Sequence, residues 1–135
     1  MDTTTLVKEL VEDGRRIVEQ LPRVGFEVTA AFWLKKAEDG QWYFYIASPA
    51  AESERRNVAY SRLFTLIRRM PPPHWIDPLE VRLIGTSNPI ARDVLAVHDR
   101  APAPNGSPIR WGGTVLGNVH VEGAYLYPLR ATVSS

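Results

Sequence analysis

Residues 26–48 read FEVTAAFWLKKAEDGQWYFYIAS, and the fold turns on how this stretch pairs with itself. Both halves are rich in β-branched and aromatic residues, the composition of strands. Glu38-Asp39-Gly40 separates them. A type I turn followed by Gly in the left-handed region fits that triplet, because Gly takes a positive φ at little cost. A three-residue loop there pairs Lys36 with Trp42, Leu34 with Phe44 and Phe32 with Ile46. One hairpin face then carries Phe32, Leu34, Phe44 and Ile46, all apolar. The other carries Trp33, Lys35, Tyr43 and Tyr45, all amphipathic. A two-residue Asp39-Gly40 turn would slip the pairing by one residue and mix the faces, so the three-residue loop is the expected one.

Upstream, Leu6, Val7, Leu10, Val11, Ile17, Val18 and Leu21 recur at helical spacing, with Gly14 on the same stripe. Asp2 or one of Thr3 to Thr5 can cap this helix, and Pro22 ends it. The expected span is about 4–21, lying on the sheet. Its outer face holds Glu9, Glu12, Asp13 and Glu19 with Lys8, Arg15 and Arg16.

Downstream, Ser48-Pro49 ends the hairpin and opens a second helix over about 51–70. Its apolar arc is Ala59, Leu63, Leu66, Ile67 and Met70, broadened by Tyr60 and Phe64. Glu52 and Glu54 near its start and Arg68 and Arg69 near its end suit the helix dipole. Pro71-Pro72-Pro73 stops it, and PPPHWIDP reads as a stiff extended connector packed along the surface. Leu79 to Thr86 alternates as a strand. Ser87-Asn88-Pro89 starts a third helix running to about His98. The loop DRAPAPNGSP follows. Ile109–Leu116, Gly117-Asn118 and Val119–Tyr127 read as a second hairpin with a two-residue turn.

The expected architecture is one α+β domain spanning residues 1–135, in the order αββαβαββ. About five strands form one mainly antiparallel sheet with helices packed on one face. The two middle strands can pair in parallel. A chain of 135 residues buries about two thirds of its unfolded surface, enough for a core.

Composition narrows the chemistry. The formal net charge is +1, so no global field draws the chain to nucleic acid or an anionic membrane. The chain has no cysteine, which excludes disulfides, zinc–thiolate sites and thiol catalysis. Arg accounts for 13 of the 16 basic residues, the habit of a GC-rich genome. The acidic start MDTTTLVKELVEDG has no apolar signal core, and no apolar run approaches the roughly 20 residues of a membrane-spanning helix. A cytoplasmic, bacterial-like protein with no membrane partner is the expectation.

No segment carries a catalytic motif. His120-x-Glu122 has the i, i+2 spacing of strand ligands, but an ordinary polar strand face explains it better. Asp77 with Glu80-Val81-Arg82 imitates a metal-dependent nuclease, but Arg cannot serve as a general base. No serine sits in a Gly-x-Ser-x-Gly elbow. No metal or cofactor is implied, and no catalytic residue is assigned.

What remains is a surface. No acidic residue falls between Arg55 and Ile76, whereas Arg55, Arg56, Arg62, Arg68 and Arg69 all do. Arg55, Arg62 and Arg69, spaced by seven, line one stripe at the border of the apolar arc. With Trp33, Lys35, Tyr43 and Tyr45 nearby, such a stripe can hold phosphates and stack bases. Alternatively the Arg stems lie over the edge of the core. The leading expectation is a small binding protein of accessory, adaptor or immunity type. It would act on a protein partner or a second copy of itself through the aromatic sheet face. A nucleic-acid-binding module using the Arg stripe comes next. An enzyme with a site near His120, Glu122 and Glu80 comes third.

Overall fold

A computed structural model describes residues 8–24, 26–53, 56–70, 76–100 and 109–127. The expected caps at Asp2 to Thr5, most of the proline connector with His74, the stretch 101–108 and the tail from 128 onward lie outside them.

The elements run α1 Lys8–Gln20, β1 Ala30–Lys36, β2 Trp42–Ala47, α2 Ala50–Ser53, α3 Arg56–Arg69, β3 Val81–Ile84, α4 Pro89–Arg100, β4 Ile109–Leu116 and β5 Val119–Leu126. Short 3₁₀ turns at Leu21–Val24 and Pro78–Glu80 precede β1 and β3. One five-stranded sheet has the order β3-β2-β1-β5-β4. All its pairings are antiparallel except β2 with β3, which is parallel. The fold is α+β, as expected, although two helices, α2 and α3, stand where the expected order had one over about 51–70.

Local chemistry explains the boundaries. Ser48 Oγ accepts the Ala50 amide at 3.1 Å and starts α2. Asn88 Oδ1 accepts the Ile90 amide at 2.9 Å, so Asn88 caps α4 and Pro89 takes the first helical position. Gly117 and Asn118 both have positive φ, 55° and 68°, which a two-residue hairpin turn of this hand requires.

The first hairpin departs from expectation. Trp33 pairs with Phe44, Leu34 with Tyr43 and Phe32 with Tyr45. The Lys36 amide donates to Gln41 O at 3.1 Å and the Gly40 amide to Lys36 O at 2.8 Å, so the loop is Ala37 to Gly40, one residue longer than expected. Gly40 does take the left-handed conformation, with φ 66°. The one-residue shift re-sorts the faces: Trp33, Phe44 and Ile46 share one, and Phe32, Leu34 and Tyr45 the other. The expected sorting assumed one wet face. Here β1 is central and Ala30 to Leu34 are all buried, so alternation carries no information about register.

The helices accordingly flank both faces, not one. Ile17 and Leu21, in α1 and the turn after it, and Ala59, Leu63 and Ile67 of α3 pack with Trp33, Phe44, Ile46 and Tyr127. Ala91 and Val94 of α4 pack with Phe32, Leu34, Tyr45 and Leu126. Aromatic stacking runs through both layers: Trp33 on Phe44 at 5.0 Å and Phe32 on Tyr45 at 5.4 Å between centroids.

Two contacts fix α1 to its neighbours. A Cβ built on Gly14 would lie 2.2 Å from Tyr127 Oη, so only glycine lets the helix approach this closely. Asp13, expected on the solvated face, is 2 % exposed. Its Oδ2 accepts the Ile76 amide at 2.9 Å, giving a buried backbone donor the partner it needs.

Candidate binding site

The arc of α3 that faces away from the sheet carries Ser61, Arg62, Thr65, Leu66 and Arg69, and these line a surface depression of about 260 Å³. A second depression of about 230 Å³ lies between α1 and α3, lined by Arg16, Glu19, Gln20, Leu66, Arg69 and Met70. The two adjoin at Leu66 and Arg69, which line both, and give a grooved surface along α1 and α3. Leu66 follows Arg62 by four residues and precedes Arg69 by three, the spacing that brings helical side chains together on one face.

Each wall of the groove has a mechanical reason. The Arg62 guanidinium lies 5.2 Å from the Phe26 ring centroid, so its charged head packs against the edge of the core. Arg16 reaches Asp13 at 3.5 Å. Arg69 is exposed and, with Arg68, closes α3, where cations suit the helix dipole. Arg68 reaches Thr65 Oγ1 at 3.4 Å. Glu19 is the acid in the groove, and Arg15 holds it at 2.5 Å while also binding Glu12. The Arg15 hydrogen bond keeps the Glu12 carboxyl below its ordinary range.

The residues expected to form an aromatic–basic face are dispersed. Trp33 is 0 % exposed and belongs to the α1/α3 side. Tyr45 is 4 % exposed and belongs to the α4 side. Lys35 is half-buried against Glu122 at 3.4 Å. Tyr43 is half-buried, with Lys36 4.9 Å and Arg82 4.7 Å from its ring centroid. Its hydroxyl donates to Asp39 at 2.6 Å, and that bond raises the phenol and lowers the carboxyl from their ordinary values. The physical reason is the hairpin register, which puts Trp33 and Lys35 on the face opposite Tyr43 and Tyr45. Of the Arg stripe, Arg62 and Arg69 come together in the groove, and Arg55 lies outside the described residues.

The third candidate loses Glu80. Glu80 precedes the edge strand β3, and two strands separate β3 from β5, which carries His120 and Glu122. Burial, with Asp77 adding to it, raises the Glu80 carboxyl from its ordinary value. Among the described residues no group of three or more His, Asp or Glu is placed to hold a metal ion, and no helix is long and apolar enough to cross a membrane.

Sequence reasoning missed the contributions of Leu66 and of α1. Leu66 counted as core by periodicity, yet it is only partly buried. The available signal was its position at the border of the arc, between two arginines.

Comparison with known proteins adds no assignment: no protein-family model, curated protein or solved structure matches this chain.

Proposed function

We propose that this chain is a small non-enzymatic, cytoplasmic binding protein that engages a protein partner through the α1–α3 groove. The observation that carries this reading is a pair of adjoining depressions that share Leu66 and Arg69, one lined also by Arg16 and the other by Arg62. Guanidinium groups hold their protons at neutral pH and cannot accept one. Arginines around a leucine floor therefore serve recognition rather than proton transfer.

Self-association through an aromatic sheet face loses its surface, since Trp33 and Tyr45 lie under helices on opposite sides. Nucleic acid remains the alternative ligand of the same arginines. It has less support, because Trp33 and Tyr45, two of the three aromatics expected to stack bases, are buried.

A benzophenone amino acid at Thr65, inside the groove, tests the reading against the same group at Arg92, exposed on α4. The expected result is a discrete protein adduct from position 65 that disappears when Arg62 and Arg69 are replaced by Gln. Adducts that form equally at position 92, or that vanish on nuclease treatment, would contradict it.

A further inference from the structure

We infer that the groove takes an extended acidic segment of its protein partner, with two carboxylates set four residues apart and an apolar side chain midway between them, so that all three project from one side of the segment. This rests on the reading of the groove as the working surface.

The spacing comes from α3 itself. Arg62, Leu66 and Arg69 stand at i, i+4 and i+7. Seven helical residues rise about 10 Å, four residues of extended chain span about 13 Å, and the long, flexible Arg side chains make up the difference. One carboxylate of such a segment meets Arg62, the next meets Arg69, and the apolar side chain between them meets Leu66. Guanidinium matches carboxylate through two parallel hydrogen bonds. Arg16, on the α1 side of the groove, adds positive charge at the Arg69 end.

Discrete carboxylates fit this surface better than a row of phosphates. Glu19 lines the same depression as Arg69 and repels a continuous anionic backbone, whereas a peptide sets its charges at intervals and leaves Glu19 to Arg15. The floor argues the same way. Leu66 and Met70 reward an apolar side chain, which a phosphodiester chain does not offer.

The test pans a displayed library of random 12-residue peptides against the intact chain, then measures the best synthetic peptides and the oligonucleotide dT20 by fluorescence anisotropy. Enriched peptides should carry Asp or Glu at i and i+4 with an aliphatic or aromatic residue at i+2. Their affinity should fall by about tenfold or more on Arg62→Gln with Arg69→Gln, the scale of two charge-assisted contacts. Because Arg62 also packs on Phe26, Ser61→Glu is the second variant; it adds a repelling charge at an exposed groove position and leaves Arg62 in place. Loss of binding in Ser61→Glu with an unchanged melting temperature supports the proposal. Enrichment of neutral or basic peptides, no enrichment, affinities indifferent to both variants, or tighter binding of dT20 each overturns it. If a protein adduct still forms at position 65 while the peptides lack the acidic pattern, the site stands and its occupant is wrong. If both tests fail, the site falls too.

Discussion

The indole Nε1–H of Trp33 donates to the phenol oxygen of Tyr127 at 2.9 Å, and that oxygen donates onward to the Val11 carbonyl at 2.6 Å. The relay joins the central strand, the residue after the last strand and α1, and Gly14 leaves the space for it. Burial pushes the Tyr127 phenol well above its ordinary value, so it stays a hydroxyl donor across the pH range of folding.

This relay can be tested by a double-mutant cycle. Tyr127→Phe leaves the Trp33 donor unpaired in the core and should destabilise by about 1–3 kcal/mol. Gly14→Ala should also destabilise, although alanine favours a helix by about 1 kcal/mol over glycine, because its Cβ would meet Tyr127 Oη. Removing that oxygen relieves part of the clash. The double variant should therefore lose less stability than the two single losses added, by about 0.5–3 kcal/mol. Strict additivity in urea unfolding would show that the helix does not sit against Tyr127.

The hairpin register makes a second prediction. Phe44 and Tyr45 are neighbours on β2, face opposite layers, and are 0 % and 4 % exposed. Phe44→Ala and Tyr45→Ala should each destabilise by about 3–5 kcal/mol. A loss below about 1 kcal/mol at Tyr45, the scale of surface substitutions, would mean that its face is open to water.

How far the sequence reveals this fold depends on where turn chemistry speaks. Asn88-Pro89 and Gly117-Asn118 place α4 and the second hairpin because each residue type has a local physical task. The Phe26–Ser48 stretch gives strands and a Gly40 turn by the same logic. It does not give the register, because β1 is apolar on both sides and one slip of the pairing looks as good as another. Asp13 misleads for a related reason. A carboxylate on a helix reads as solvated unless its acceptor role for a distant amide, that of Ile76, is known. At the candidate site, Arg62 and Arg69 show in the sequence as a seven-residue repeat. Arg16 and Glu19 do not, because only the packing of α1 beside α3 brings them there.

Acid should reveal the role of Glu52. Its carboxylate accepts the Ser87 and Thr86 hydroxyls and the Ser87 amide, tying α2 to the loop before α4. These bonds, Ser87 foremost, lower its pKa from the ordinary 4.5. A carboxyl whose folded pKa is depressed contributes its stability fully above the unfolded value and loses it as pH falls through the folded one. The native chain should therefore lose more stability than Glu52→Gln as pH falls from about 5 to about 3. Thermal unfolding at each pH measures this. Parallel curves for the two proteins would show that Glu52 makes no such contribution.

The groove faces its most direct measurement in chemical-shift mapping. The ¹⁵N-labelled chain would be titrated with a synthetic acidic 12-residue peptide carrying carboxylates at i and i+4 with a leucine at i+2. The largest amide shifts should fall on residues 16–20 of α1 and 61–69 of α3, and should disappear in the Arg62→Gln, Arg69→Gln variant. Shifts centred on α4 or β4 instead, or shifts that survive the loss of both arginines, would contradict a binding site between α1 and α3.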